Sequence, residues 1–219
     1  PEIAGDDEIK EAFYAYSHIN CREQLWDCEG KEVDNFVVKK LLSKYEPYFK
    51  KHKLGKDVFL TLRVPNPTVE KSEAKILLET LESIPRNFDS AKLFYNEEIA
   101  PIFEVAVPMT SDYRELVRIS RYYKNHVVGK QHHKLDNDST IAEWIGSFLP
   151  ENLNIIPLIE EKEAILNPER IVEGYAKEEK VGEYIRVWLA RSDPALNYGS
   201  LATVLMLKIS LQKIKAIGK

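Results

Sequence analysis

The sequence has 219 residues, of which 44% are hydrophobic and 30% charged, so it can bury a substantial core without disulfide bonds. A formal net charge of −4, with basic residues interspersed among acids, argues against nucleic acid as a partner. No apolar run approaches the roughly 18 residues of a membrane span, and the N-terminus is acidic, so we expect a cytoplasmic protein without a membrane partner.

The first part of the chain predicts helices around an irregular, acidic segment. Residues 6–17 carry an apolar stripe at helical spacing with acids in the first turn, and a second stripe runs over residues 33–48. Between them, Asp27 and Glu29 precede Gly30, a pattern typical of an exposed turn that caps the next helix.

Four apolar runs predict buried strands, because both alternating sets of side chains are apolar in each run. They cover residues 58–64, 100–110, 153–160 and 187–190. Repeated strand–helix units indicate an α/β fold with a parallel sheet. Four strands cannot close an eight-stranded barrel, so the sequence predicts either half a barrel or an open sheet.

Helical patterns follow these strands. They begin at residues 69, 113, 140, 168 and 201, and the first is predicted to end near residue 81. Residues 124–139 are polar and are predicted as a loop, in which the adjacent His132 and His133 point in opposite directions and are expected at the surface. Lys130 lies in the same loop, and no phosphate-binding GxxxxGK motif surrounds it.

Three charged residues stand at the carboxyl ends of predicted strands, where parallel α/β folds place their ligands. Arg63 on an apolar strand must either meet a carboxylate or bind an anion at a pocket mouth. Glu160 is explained equally well as an acid in the first turn of a helix. Asp193, directly before Pro194, is on spacing alone most typical of a turn or cap residue.

Several motifs resemble the phosphoenolpyruvate carboxylases, in particular those of the archaeal type. SDPALNYG at residues 192–199 resembles the strand-end motif SDSxKDxG, and PLIE at 157–160 resembles PLFE. Arg63 matches the arginine of IRQES, and the segment around Asp27 is partly similar to GGDRDGNP. The resemblance runs in order along nearly the whole chain. It corresponds to the N-terminal half of such an enzyme, without the TQHP segment and the Gly- and Arg-rich segments.

The resemblance implies an α/β fold that is part of a (β/α)8 TIM-type barrel, with residues 1–219 as one partial domain. It implies carboxylation of phosphoenolpyruvate with bicarbonate, which yields oxaloacetate and phosphate, by a homotetramer that uses Mg²⁺ or Mn²⁺. Glu160 and Asp193 are then the metal ligands. Arg63 is catalytic and binds substrate, and Lys130, within a GKQ tripeptide that recurs in archaeal-type relatives, is a second anion contact. Leu196 and Asn197 replace the Lys and second Asp of the longer motif, so the roles of those two residues do not transfer. The family's similar VxSMxxxPSD segment has no ligand carboxylate, so the resemblance implies that Glu104, inside a predicted strand, is structural and paired with an arginine.

Two alternatives remain at the level of sequence. Another Mg²⁺-dependent barrel enzyme that acts on phosphoenolpyruvate or pyruvate would use a similar pair of carboxylates. A non-catalytic fragment or ligand-binding module would also fit, since the family's histidine and arginine segments are missing from this sequence. An exposed apolar edge where the barrel should continue is the expected structural sign of the second alternative.

Overall fold

The fold is a parallel sheet covered by helices, so the predicted α/β class is confirmed. The computed structural model describes residues 6–28, 34–181 and 184–218. Within them, five strands pair in the order β1-β2-β3-β4-β5, and every pairing is parallel. The strands are β1 Glu23–Asp27, β2 Phe59–Arg63, β3 Glu104–Val107, β4 Asn154–Ile159 and β5 Trp188–Leu189.

Helices follow the strands as the sequence predicts. They are α1 Asp6–Ser17, α2 Val37–Lys44, α3 Glu46–Phe49, α4 Ala74–Tyr95, α5 Tyr113–Tyr122, α6 Ile141–Ile145, α7 Lys162–Leu166, α8 Pro168–Glu179, α9 Ser192–Tyr198 and α10 Ser200–Ile217. Among the described residues, none of these helices is both long and apolar enough to cross a bilayer.

The core lies between the three central strands and the helices that cover them. Leu62 of β2, Val105 of β3 and Ile155 of β4 are all buried, as are Leu81 of α4 and Leu116 of α5. Burying one such side chain contributes about 1.5–3 kcal/mol. The central strands are therefore firmly held, and their carboxyl ends form a fixed platform for polar side chains.

Strand β1 was not predicted from the sequence. Its residues EQLWD lack the apolar pattern of the other strands, since Glu23 and Asp27 stand at its two ends. Both acids are instead paired with arginines that are distant in sequence, namely Arg186 and Arg63. Their charge is compensated by tertiary contacts, which a local pattern cannot reveal. Glu29, Gly30 and Val33 of the predicted turn and helix lie outside the described residues.

Strand β5 is shorter and less buried than predicted. Only Trp188 and Leu189 form it, and both are half-buried, because β4 is the one described strand with which it pairs. The expectation of a strand buried on both faces was therefore wrong.

Helix α4 is longer than predicted and continues to Tyr95 through Pro85. Proline removes a helical hydrogen bond, yet the helix continues because Ile84, Phe88 and Ala91 remain buried beyond the predicted end.

The predicted loop 124–139 is partly helical. Tyr123–Val128 forms a π-helical turn and Gly129–His132 a 3-10 turn, held by burial of Tyr123, Val127 and Val128. The hydroxyl of Tyr123 donates a hydrogen bond to the Pro150 carbonyl at 2.8 Å. Buried apolar residues at the start of the segment thus anchor a stretch whose average composition is polar.

The sheet is curled into a half-barrel rather than flat. Arg186, two residues before β5, contacts Glu23 at the start of β1, although these strands stand at opposite ends of the strand order. In a flat sheet the two strands would be about 19 Å apart, which no arginine side chain can span. Arg186 also pairs with the buried Glu104 of β3, so Glu104 is structural and arginine-paired, as predicted. We call this group of Arg186, Glu23 and Glu104 the Arg186 bridge.

Candidate functional site

Glu160 and Asp193 line one open cavity at the carboxyl end of the sheet. Glu160 directly follows β4, and Asp193 is the second residue of α9, shortly after β5. The Ala190 N–H donates to the Ile159 carbonyl at 2.9 Å, which continues the pairing of the two strands up to the acids. The cavity has a volume of about 730 Å³ and is lined by Met109, Glu160, Glu161, Lys162, Glu163, Leu166, Asn167, Asp193, Asn197 and Tyr198.

The turn after β3 holds the side chain of Glu160. The Met109 N–H donates to Oε2 of Glu160 at 2.9 Å. Met109 has φ +51°, a left-handed conformation that is uncommon for a residue with a side chain. The next residue fixes this turn, because the Thr110 N–H donates to the Leu158 carbonyl at 3.0 Å and its hydroxyl donates to the Val107 carbonyl at 2.7 Å. The backbone is therefore held in a costly conformation that points an N–H at Glu160.

The electrostatic surroundings of Glu160 suit a cation. Burial raises the pKa of its carboxyl, and the negative charge of Asp193 raises the pKa further. The hydrogen bond from Met109 and the positive charge of Arg63 act in the opposite direction but do not outweigh these effects. Two carboxylates that repel each other in a half-buried cavity are stabilised when a divalent cation lies between them.

The set of donors fits a hard metal ion that keeps water or substrate oxygens among its ligands. Within the part of the chain that the structure describes, no group of three or more His, Cys, Asp or Glu side chains could hold a metal ion. Mg²⁺ commonly uses one or two protein carboxylates and completes its six ligands with water and substrate oxygens. Glu160 and Asp193 provide that minimal pair.

Arg63 forms a two-pronged ion pair with Asp27 at the ends of β2 and β1. Its Nε donates to Oδ1 of Asp27 at 3.0 Å and its Nη2 donates to Oδ2 at 2.7 Å. The two residues are also opposite each other in the strand register. Of the two alternatives for Arg63, contact with a carboxylate is therefore observed, while its role towards a substrate anion stays a prediction. Sequence reasoning missed this role of Asp27, because it did not find the strand that Asp27 ends.

Lys130 is not among the residues that line this cavity. It lies in the 3-10 turn, where its Nζ is 3.5 Å from Glu82 of α4 and 5.9 Å from the centre of the Phe148 ring. The structure thus brings Glu160 and Asp193 together in the cavity, whereas neither Arg63 nor Lys130 is among the residues that line it. The positive charge of Arg63 nevertheless lowers the pKa of Glu160. His132 and His133 are both exposed, as expected.

Comparison with known proteins identifies the family of this chain. The family model described as phosphoenolpyruvate carboxylase matches residues 1–219. The chain belongs to the phosphoenolpyruvate carboxylase family. The motif resemblance that the strand-end residues carry is thereby confirmed over the whole sequence.

Curated relatives with the name phosphoenolpyruvate carboxylase support the same conclusion. The protein of Methanospirillum hungatei is 54% identical over 219 residues, which are 100% of this chain and 45% of the relative. That of Methanothermobacter thermautotrophicus is 55% identical over 98% of this chain and 44% of the relative. That of Pyrococcus furiosus is 52% identical, with 98% and 45% covered. The chain therefore spans a little under half the length of these relatives.

Proposed function

We propose that the protein takes part in the carboxylation of phosphoenolpyruvate with bicarbonate, which yields oxaloacetate and phosphate. The observation that carries this proposal is the cavity in which Glu160 and Asp193 meet at the carboxyl ends of β4 and β5. Membership of the phosphoenolpyruvate carboxylase family supplies the substrate class.

Mg²⁺ or Mn²⁺ is the proposed cofactor, with Glu160 and Asp193 as its protein ligands. When bound, the ion would supply positive charge that stabilises an enolate oxygen and holds the substrate carboxylate. The Met109 N–H fixes one oxygen of Glu160 and leaves the rest of the carboxylate to face the cavity.

In the proposed reaction, a bicarbonate oxygen attacks phosphorus and the bond from phosphorus to the enol oxygen breaks. The products are carboxyphosphate and an enolate. Carboxyphosphate then splits into CO₂ and phosphate, and the enolate carbon attacks the CO₂ to give oxaloacetate. Both substrates are anions, and negative charge builds up on the transferred phosphoryl group. Arg63 would neutralise part of this charge, and its two hydrogen bonds to Asp27 hold the guanidinium in place for that purpose.

A complete (β/α)8 barrel is part of the proposal. The five described strands are already curled. Helix α10 presents exposed apolar side chains such as Leu201, which is 76% exposed, and this surface would stay uncovered in the non-catalytic alternative. Further strand–helix units, in relatives of about twice this length, would cover such a surface. Assembly as a homotetramer and a cytoplasmic location remain predictions, as does an anion contact at Lys130.

The test measures oxaloacetate formation and Mn²⁺ binding in the complete native polypeptide that carries this sequence. We expect product only when bicarbonate is present, and we expect Asp193→Asn to weaken Mn²⁺ binding at least about tenfold, a loss of about 1.4 kcal/mol. The exposed Asp138, whose side chain makes no hydrogen bond to described residues, provides the matched control Asp138→Asn, which should leave Mn²⁺ binding unchanged.

Each alternative function predicts a different result in this experiment. Conversion of phosphoenolpyruvate without any need for bicarbonate would favour another Mg²⁺-dependent barrel enzyme. A native polypeptide with a mass equal to this chain, 25.3 kDa, and no turnover at any metal concentration would favour the non-catalytic module. Equal Mn²⁺ affinity in Asp193→Asn and the unchanged protein would remove Asp193 from the metal site.

A further inference from the structure

A second cleft lies between α4 and α5 and shares no residue with the cavity at Glu160. Its volume is about 470 Å³, which is within the usual range of sites for small organic ligands. The residues that line this α4–α5 cleft are Asn66, Pro67, Thr68, Lys71, Leu77, Leu78, Glu115, Arg118, Ile119 and Tyr122.

The walls of the α4–α5 cleft are mainly apolar. Leu77 and Leu78 come from α4, Ile119 and Tyr122 come from α5, and Pro67 from the segment after β2. Leu77 and Ile119 are buried side chains of the main core, so this wall does not depend on flexible surface residues. The cleft therefore offers a firm apolar surface to the body of a ligand.

Two cations lie at this apolar surface without a carboxylate partner. Lys71 and Arg118 are exposed, and neither forms an ion pair with any described residue. The other two arginines of α5 behave differently. Arg114 pairs with Asp112 at 3.5 Å, and Arg121 pairs with Glu178 at 2.9 Å. Arg118 is thus the arginine of α5 whose positive charge no described carboxylate compensates, and it lines the cleft.

The one acid in the cleft wall is already engaged by neutral groups. Glu115 is 6% exposed, and its carboxylate accepts hydrogen bonds at 3.2 Å from the Asn66 amide and from the N–H and hydroxyl of Ser111. Asn66 is itself fully buried and also donates to the Pro108 carbonyl. Glu115 is therefore held in the wall away from an ion pair with Arg118. Among the residues that line the cleft, two cations thus stand with one carboxylate, while Glu70 and Glu82 contact Asn66 and Tyr122 without lining the cleft themselves.

We propose that the α4–α5 cleft binds a small organic carboxylate with an apolar body. The carboxylate would lie between Lys71 and Arg118, and the apolar body would pack on Leu77, Leu78 and Ile119. Arginine suits this role because its planar guanidinium can donate two parallel hydrogen bonds to one carboxylate. The site is separate from the metal cavity, so the proposal does not depend on the reaction that the cavity performs.

The test uses the complete native polypeptide and two probes of nearly equal shape, 3-phenylpropionate and its neutral analogue 3-phenylpropanol, in calorimetric titrations. We expect one carboxylate bound per chain, at least about tenfold more tightly than the alcohol. Arg118→Gln should remove this preference. Arg114→Gln, on the same helix but outside the cleft, should keep it.

A second variant tests the apolar wall. Leu78→Trp would fill the cleft from its α4 side and should weaken binding of both probes about equally. Equal affinity for acid and alcohol would overturn the proposal. So would affinities that neither Arg118→Gln nor Leu78→Trp changes, or no heat of binding up to about ten millimolar probe.

Discussion

Arg186, which lies two residues before β5, donates a hydrogen bond to each carboxylate oxygen of Glu23, the first residue of β1. Its Nη1 contacts Oε1 and its Nη2 contacts Oε2, both at 2.8 Å. Nη1 also contacts Glu104, which is only 3% exposed. A single guanidinium therefore joins the two ends of the strand order and compensates a buried carboxylate between them.

Arg186→Met should destabilise the fold. The substitution keeps most of the side-chain volume but leaves Glu104 buried without its cation. Loss of one partner of a buried ion pair costs several kcal/mol, and because Arg186 is partly exposed we expect about 2–3 kcal/mol. Urea denaturation measures the loss. Arg170→Met, at an exposed position of α8, should change stability by no more than about 0.5 kcal/mol. Equal stabilities of these two variants would contradict the role of the Arg186 bridge.

Glu23 should contribute to acid destabilisation. Burial raises the pKa of its carboxyl, but hydrogen bonds from Arg186 and Thr61 outweigh burial and hold the pKa below its ordinary value of 4.5. The unfolded chain then takes up this proton more readily, so the stabilisation is complete above the ordinary pKa and is lost as pH falls through the lower folded pKa. We expect the free energy of unfolding to fall below roughly pH 4.5, and to fall less steeply in Glu23→Gln. Parallel pH profiles of the two proteins would exclude a contribution from Glu23.

Substitutions at Met109 should distinguish the effect of its backbone conformation on Mn²⁺ affinity from the effect of its side chain. Glycine adopts φ +51° without steric cost and retains the N–H, so Met109→Gly should keep Mn²⁺ affinity within a factor of about three. Valine is β-branched and strained at this angle, at a cost of about 1–3 kcal/mol, so Met109→Val should displace the N–H and weaken Mn²⁺ binding. Tighter Mn²⁺ binding by Met109→Val than by Met109→Gly would show that the turn does not position Glu160.

Arg63→Lys should lower kcat/KM for phosphoenolpyruvate in the complete enzyme by about tenfold or more. Lysine keeps the charge but cannot make the two-pronged pair with Asp27, so the cation would no longer be fixed at the strand ends. The control is Arg22→Lys, one residue before β1 at the opposite end of the sheet, which should leave kcat/KM unchanged. Equal steady-state kinetics of the two variants would remove Arg63 from the reaction.

Two glycines with nearly the same backbone angle provide a matched pair for stability. Gly55 has φ +92°, and a Cβ there would lie 2.1 Å from the Ala100 carbonyl oxygen. Gly146 has φ +97°, but a Cβ there would meet no atom within 4 Å. Gly146→Ala should cost only the conformational strain of about 1–3 kcal/mol, and Gly55→Ala should cost clearly more, because backbone must move. Thermal or urea denaturation of both variants measures the two losses of stability.

The sequence was sufficient to predict the central strands, because β2, β3 and β4 are mainly apolar and buried. Spacing alone did not single out Glu160 and Asp193 as metal ligands; that prediction came from the family resemblance. Strand β1 could not be predicted from an apolar pattern, because the charges of Glu23 and Asp27 are compensated by Arg186 and Arg63, which are distant in sequence.

Other parts of the site depend on backbone geometry that no residue pattern encodes. Met109 contributes to the site through its backbone N–H, a group that every residue except proline has. Its left-handed φ is typical of glycine, so a methionine in the sequence gives no sign of it. The GKQ tripeptide predicts an anion contact at Lys130, which stays a prediction; in the structure Lys130 lies beside Glu82 and does not line the cavity at Glu160. Short motifs located the strand ends well but did not show which neighbouring elements meet there.

The Arg186 bridge also has a consequence for the order in which the molecule can form during synthesis. Glu23 and Arg186 are 163 residues apart, whereas Asp27 and Arg63 are only 36 apart. Closing the longer loop costs more chain entropy, and it must wait until residue 186 has left the ribosome. The ion pair between Asp27 of β1 and Arg63 of β2 can therefore form early. The carboxylates of Glu23 and Glu104 lack their guanidinium partner until Arg186 has been synthesised. The Arg186 bridge, which joins the two ends of the strand order, can thus form only after the other strands it connects have been made.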